Sequence, residues 1–415
     1  MKIKKIQIKS FKSFKELDID LGNFNIFIGA NASGKSNFIK IFEFLKDIAQ
    51  SGLNNAISMQ GGIEYLRNIN IGSVNELSVK ITFDSMKFPA LLPALLEEPE
   101  SKELTKIETV YEFALKMADR DFEVINDRLS QLWELTGSDK ENQKTEKKYK
   151  TEELHFSIYQ DKGKIKHSPE DIKTKFPLSY FKDIEVPSKS LIVELPFFSM
   201  SLLKPKHILG DIGVYNFDPV LPKEAIPITG KAELEKNASN LSIVLKNLLS
   251  SKEKGRKFTN LLKDILPFIT GLKFKEPTDK YLLLSLQETY SGTYELPASL
   301  ISDGTINIIA LITALYFEEK GLTIIEEPER NIHPHLMSRA VNMMKDASEK
   351  KQIIVTTHNP EIIKHADLKD IFLVSRDKYG FSKITKPSEK EEIKIFLEND
   401  LGIEELYIQN LLEQL

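Results

Sequence analysis

Cysteine is absent from the chain. That excludes disulfides, thiolate zinc and iron–sulfur sites and a cysteine nucleophile, and it suits a reducing interior. Glycine (19) and proline (18) are too few among 415 residues for a low-complexity or fibrous chain. Long hydrophobic runs are missing too. The most apolar stretch, residues 306–317, is broken by Asn307 and Thr313 and falls short of the roughly 20 residues that span a bilayer. The opening Met1-Lys-Ile-Lys-Lys-Ile-Gln-Ile-Lys9 alternates charge with apolar residues and lacks the core of a signal peptide. A soluble, cytoplasmic protein with no membrane partner is expected. Nor is there an excess of one charge: Lys+Arg 57 against Asp+Glu 61 gives a net charge of -4. No global basic field recruits nucleic acid, so any DNA contact must be local. What remains is 41% hydrophobic and 28% charged, a globular composition, in a chain long enough for about two or three domains of roughly 150 residues.

Periodicity orders the chain. Residues 3–8, 17–21 and 24–28 alternate or run apolar as strands, and helical spacing starts at Lys35. After Gly61 and Gly62, alternating runs at 77–83, 110–117, 154–159 and 191–195 predict an antiparallel layer beside the first helix. Between them, residues 119–136 carry helical spacing with the only tryptophan, Trp133, and 137–151 are almost wholly polar, a solvent-exposed tip or linker. Helical spacing returns at 241–249 and 258–269, with Pro267 near the end. The last third alternates: strand 281–286, a helix from Thr305, strand 322–325, a helix after Pro334, then strands 352–356 and 371–374. That pattern predicts a mostly parallel sheet covered by helices. No internal repeat or sustained heptad is present, which argues against a long coiled coil.

Four motifs carry chemistry. Gly29-Ala-Asn-Ala-Ser-Gly-Lys-Ser36 fits G-x-x-x-x-G-K-[ST] between an apolar strand and a helix. The glycines let loop amides turn inward and the helix start favours phosphate; Lys35 would reach β and γ phosphates and the Ser36 hydroxyl would ligate magnesium. Leu322-Thr-Ile-Ile-Glu-Glu-Pro-Glu329 ends a buried strand in adjacent carboxylates on opposite sides. Glu326 would hold magnesium through water and Glu327 would polarise the attacking water. Thr356-Thr-His-Asn-Pro360 places His358 after the next apolar strand, where an imidazole can meet a γ-phosphate or the water. Leu300-Ile-Ser-Asp-Gly-Thr305 opens a helix with a hydroxyl, Ser302, and a close-approach glycine, Gly304, an anion site that read alone is merely a helix cap.

In this order, and with the opening Ile8-Lys-Ser-Phe-Lys-Ser-Phe14 and Asn31 in the phosphate loop, the chain resembles the ABC-type ATPases of the RecF and SMC branch. More narrowly, Ser302-Asp-Gly-Thr305, Ile325-Glu-Glu-Pro-Glu-Arg-Asn-Ile-His-Pro334 and Thr357-His-Asn-Pro360 resemble stand-alone ATPases related to the overcoming-lysogenization-defect family, often found in phage-defence and toxin–antitoxin cassettes. The resemblance covers the head, about half the chain. It implies an α/β P-loop NTPase of ABC type, with a mostly parallel sheet, an antiparallel β layer and a helical subdomain. The head would comprise 1–84 and 296–386, with an α+β insertion at 85–190, a connecting strand and helical subdomain at 191–295, and a helical tail at 387–415. It further implies Mg-dependent ATP hydrolysis and a homodimer sandwiching two ATP molecules, open to further assembly. Each ATP would sit on Asn31, Gly34, Lys35 and Ser36 of one copy and be closed by Ser302 and Gly304 of the other. Residues 330–333 would cross the interface, Lys12 would contact nucleotide, and Gln60 is either the glutamine that couples metal to the lobes or a surface loop residue.

The chain departs from the pattern in places. Asp303 replaces the usual glycine and sets a negative charge near an incoming phosphate, unless it caps the helix or pairs with a cation. Glu326 replaces the commoner Asp. No nuclease domain fits into 387–415. A dimeric switch acting on a separately encoded nuclease or toxin is therefore the leading expectation. The alternative is a RecF-like DNA-binding repair protein, supported by basic clusters at 144–150 and 252–257. A transporter subunit is disfavoured by the opening strand motif and the large central insertion.

Overall fold

The computed structural model describes residues 2–67, 76–86, 102–118, 121–138, 149–168, 184–195, 205–391, 393 and 402–409. The chain divides into two compact units, one made of Met1–Leu21, Ser36–Asp211 and Arg376–Lys383, the other of Gly22–Lys35, Ile212–Ser375 and Ile384–Leu415.

The first unit is built on a seven-stranded antiparallel sheet in the order Phe14–Asp20, Ile3–Phe11, Glu76–Met86, Lys102–Met117, Phe122–Ser138, Tyr149–Asp161, Lys164–Ser168. Ile6 pairs with Ile19 on one side and Ile81 on the other, so the predicted alternation becomes one buried face. The helix Lys35–Ser51 turns Phe38, Phe42 and Leu45 inward, and Phe44 meets Phe11 with ring centroids 5.9 Å apart.

Two expectations for this unit are corrected. Residues 119–136 do not form a helix; Phe122–Ser138 is a strand, paired on both sides, and residues 119 and 120 lie outside the described ones. Leu129, Leu132 and Trp133 mimic helical spacing, whereas the true period-2 face buries Asp127, Leu129 and Gln131. Two of its three members are polar. They are tolerated inside because Tyr111 Oη donates to Asp127 (3.1 Å) and Gln131 Nε2 donates to Thr109 Oγ1 (3.2 Å). Residues 191–195 form no strand but a 3₁₀ turn, Ile192–Glu194. The Leu191 N–H donates to Glu194 Oε1 (2.7 Å) and the Ile192 N–H to Asp127 Oδ2 (2.6 Å), so side chains take the donors a sheet would use. Of the polar stretch 137–151, both ends pair as strand, Gly137 with Lys150; residues 139–148 lie outside the described ones.

The second unit holds a parallel sheet whose strands run in the order Ile371–Arg376, Phe24–Ile28, Gln352–Thr357, Leu322–Glu326, Ile212–Tyr215. Phe24–Ile28 and Gln352–Thr357 are buried throughout, as strands covered on both faces must be. Leu241–Ser250, Lys252–Ile265, Asp303–Tyr316 and Pro334–Ser348 are helices, and their apolar faces share one core with the sheet. The expected helix over 258–269 stops at Ile265, ahead of Pro267. Ile269 then begins a strand, Ile269–Thr278, paired antiparallel with Tyr281–Glu288, so the expected strand 281–286 belongs to a separate antiparallel sheet and not to the parallel one. In a parallel sheet the carboxyl ends of neighbouring strands share an edge. Here that edge carries Gly29, Asn216, Glu327 and His358, each following the last residue of its strand.

Candidate active site

At Gly29 the chain passes so close to the next strand that a Cβ there would lie 2.1 Å from the Val374 carbonyl. Gly34 has φ 122, a conformation L side chains rarely adopt. Between them the loop turns, with Asn31 exposed at its tip, and delivers Lys35 as the first residue of its helix. The Lys35 ammonium is buried and donates back to the loop carbonyls of Gly29 (2.6 Å) and Ala30 (2.9 Å). Burial lowers its pKa, against the fields of Glu327 and Glu329, which raise it. An ammonium held by neutral carbonyls inside a glycine-shaped loop is a donor set that fits a polyphosphate.

The acidic side comes from the strand Leu322–Glu326. Glu326 faces one neighbour, accepting from Asn216 Nδ2 (3.4 Å) with Lys236 Nζ at 3.9 Å. Glu327 turns the other way with φ 44, and its N–H donates to the Thr356 carbonyl (2.8 Å). Its Oε1 lies 2.9 Å from His358 Nδ1, and Oε2 accepts from Arg330 Nη2 (2.8 Å). Burial alone would push this carboxyl up, yet the Arg330 and His358 bonds outweigh it and hold the group below its ordinary range. Glu327 is thus kept as an anion, with His358 beside it on an exposed turn.

A second cluster surrounds the helix Asp303–Tyr316. Ser302 caps it: its Oγ accepts the Thr305 N–H (3.2 Å) and lies 2.8 Å from Thr305 Oγ1. Asp303 pairs with Lys223 at 2.5 Å, so the charge that departs from the usual motif is neutralised. Gly304 lies against the loop after Glu327, where a Cβ would come within 2.4 Å of the Asn331 carbonyl. One turn on, Asn307 Nδ2 donates to the Arg330 carbonyl (2.6 Å). Arg330 therefore joins the clusters, its side chain on Glu327 and its backbone on Asn307. Beside them a cavity of about 480 Å³ is lined by Ser302, Gly304, Asn331, His333 and Arg339 among others.

The structure thus gathers Lys35, Glu327 and His358, with Glu326 next along the strand, and lays Gly304, two residues past the Ser302 cap, against the adjoining loop, which Asn307 bonds. Lys12, Ser36 and Gln60 are described with the other unit. Ser36 follows Lys35 on the same helix and is exposed. Lys12, at φ 46, donates from its N–H to the Leu66 carbonyl (2.7 Å) and from Nζ to the Tyr65 carbonyl (3.0 Å); burial and then Lys40 lower its pKa. Gln60 is the buried residue ending the helix Leu53–Met59, and its Oε1 has no hydrogen-bond partner among the described residues. Sequence reasoning gave no role to Asn216, Lys223, Asn307 or Glu329. Two of them left a signal: Asn307 as the polar interruption of an apolar helix, and Glu329 as the last residue of the carboxylate motif.

Comparison with known families places residues 24–364 in the family described as "AAA domain, putative AbiEii toxin, Type IV TA system". The chain belongs to this family. This AAA-domain chain resembles the ABC-type ATPases of the RecF and SMC branch. It is 46% identical over 46 residues to the DNA replication and repair protein RecF of Lactococcus lactis subsp. lactis (strain IL1403), covering 11% of this chain and 13% of that one. It is 34% identical over 85 residues to the Septu protein PtuA of Bacillus mycoides (strain KBAB4), covering 18% and 12%, and 41% identical over 56 residues to the Endonuclease GajA of Bacillus cereus (strain VD045), covering 13% and 10%. The chain thus spans about an eighth or less of the curated relatives it matches. Among solved structures, the SMC head bound to the C-winged helix domain of ScpA superposes with a TM-score of 0.50 at 18% identity, covering 93% of this chain and 97% of that one. That likeness concerns the fold. Among the described residues of this AAA-domain chain no helix is long and apolar enough to cross a membrane.

Proposed function

We propose that this protein is a magnesium-dependent ATPase whose ATP-bound homodimer switches a separately encoded nuclease or toxin, in anti-phage defence and in the cytoplasm. The observation that carries the reading is the shared strand edge at which Glu327 contacts His358, with the Lys35 ammonium in the field of Glu327. Lys35 would exchange its two loop carbonyls for β and γ phosphate oxygens. Glu327, held anionic, would orient the attacking water and take its proton. With Nδ1 engaged by Glu327, His358 offers Nε2 to the γ-phosphate. Glu326, and Ser36 on the helix after Lys35, are the candidate magnesium ligands; the ion would supply charge neutralisation at the phosphates. Ser302 and Gly304 of a second copy would close the nucleotide, with Asn31 and Lys12 as further contacts. The family description and the similarity to PtuA and GajA support the defence setting.

The experiment is to tag Glu327→Gln, express it with its neighbouring genes and recover complexes in ATP. A stoichiometric second protein on a dimer is expected. Glu327→Gln should bind ATP while hydrolysis falls by about two orders of magnitude or more, and Lys35→Ala should lose ATP binding. Undiminished hydrolysis in Glu327→Gln would sink the assignment of the base.

One observation favours the second reading, a RecF-like DNA-binding protein. A cleft of about 490 Å³ is lined by Lys252, Arg256 and Lys273 and by no carboxylate. Nearby Lys246 and Lys275 are each paired with a glutamate. If DNA lies in that cleft, Arg256→Glu lowers its affinity and flattens the salt dependence, and the tagged dimer carries nucleic acid in place of a protein.

A further inference from the structure

Glu329 is the one glutamate of Glu-Glu-Pro-Glu without a role above, and it is the most buried of the three carboxylates, at 6% exposure. A carboxyl inside a protein needs partners. Its Oε1 accepts the Thr357 hydroxyl, while Oε2 has no hydrogen-bond partner among the described residues. Burial raises its pKa, and Thr357 and its own backbone amide only partly oppose this. It shares its field with the functional groups: Glu327 and His358 act on it electrostatically, and it acts on Lys35.

The residue it grips is the crossing point of the site. Thr357 Oγ1 accepts the Asn359 N–H (2.9 Å), and Asn359 Oδ1 in turn accepts the Glu361 N–H (3.0 Å), so the turn carrying His358 is fixed on both flanks. The Thr357 carbonyl accepts the N–H of Gly29 (3.4 Å), the first residue of the phosphate loop. One residue earlier, the Thr356 carbonyl accepts the N–H of Glu327 (2.8 Å). A hydroxyl that donates in one direction and accepts in the other can hold this geometry only if its donor has a fixed acceptor, and that acceptor is Glu329.

We propose that Glu329 is a positioning residue of the nucleotide site: through the Thr357 hydroxyl it sets the His358 turn against Glu327 and keeps that turn in register with the phosphate loop. The proposal rests on the ATPase reading for its kinetic consequence, but its geometric consequence can be read without hydrolysis. Four full-length variants separate charge, hydroxyl and packing: Glu329→Gln, Glu329→Leu, Thr357→Val and Thr357→Ser. Each is assayed for ATP affinity, for kcat against pH, and for the titration and tautomer of His358 by ring ¹⁵N NMR.

Glu329→Leu and Thr357→Val should lower kcat by about 10- to 100-fold, with ATP affinity changed by no more than about threefold. Both should also move the His358 titration. Thr357→Ser, which keeps the hydroxyl, and Glu329→Gln, which keeps an acceptor, should restore His358 to its original signals and kcat to within about fivefold. A merely structural role would alter thermal stability and leave the His358 signals and the pH profile alone. Unchanged His358 signals in both Glu329→Leu and Thr357→Val overturn the proposal. So does failure of Thr357→Ser to differ from Thr357→Val. Should the unaltered protein bind ATP without hydrolysing it, the ATPase reading falls, and the NMR comparison still decides the positioning role.

Discussion

Gly304 shows how little freedom single positions of this site have. Its missing side chain leaves room for the Asn331 carbonyl, which a Cβ would approach to 2.4 Å. Backbone cannot yield as a flexible side chain does, so Gly304→Ala should push the loop after Glu327 away from the helix Asp303–Tyr316. The expected outcome is a loss of about 1–3 kcal/mol in stability, read by denaturant midpoint, together with a fall in ATPase rate through displacement of Arg330. Asp303→Gly should behave differently: it restores the commoner motif but strands Lys223, leaving an unpaired ammonium at 16% side-chain exposure. At this scale the sequence was informative about which residues the fold brings together. Lys35, Glu327 and His358 could be named from motif and strand position alone. What pairs with them could not, because Arg330 and Asn307 depend on how a loop folds over a helix start, and no periodicity encodes that.

At the scale of elements, legibility followed the polarity of the buried face. The parallel strands other than Ile212–Tyr215 were readable because both their faces are apolar. Phe122–Ser138 was not, because its inward face carries Asp127 and Gln131, and the sequence offered a false helical spacing in their place. Asp127 also has a measurable consequence. Burial pushes its carboxyl up to about 8, against the bonds from the Ile192 N–H and Tyr111. Its ordinary value lies near 4, so between roughly pH 4 and 8 the folded form binds more protons than the unfolded form. Stability contributed at this position is therefore greatest at the low end of that window and declines as pH rises through it. Melting temperature measured from pH 5 to 8.5 should show that decline in the unaltered protein and a flatter curve in Asp127→Asn. Equal slopes would show that Asp127 titrates near its ordinary value.

At the scale of the whole molecule, two units with their own cores are assembled from interleaved segments of chain, and this interleaving is the part of the fold least visible in sequence. Composition fixes only that a core can form; which segments share it depends on contacts between residues hundreds of positions apart, such as Asn25 Nδ2 donating to the Ile353 carbonyl. A ligand that binds the folded chain stabilises it by mass action, by about 2.7 kcal/mol at a hundredfold excess over Kd. Magnesium-ATP should accordingly raise the melting temperature of the unaltered protein and of Glu327→Gln, and leave Lys35→Ala unmoved. A shift retained in Lys35→Ala would place nucleotide elsewhere than on the phosphate loop.

The left-handed backbone at Glu327, φ 44, bears on how such a chain can be altered in the laboratory. For a residue with a Cβ this conformation costs about 1–2 kcal/mol, whereas glycine adopts it freely and asparagine more readily than most. Selection for heat resistance or expression yield alone would therefore favour glycine or asparagine at this position over glutamate. A stabilised library screened without an activity assay would tend to enrich its best folders in chains that had discarded the carboxylate.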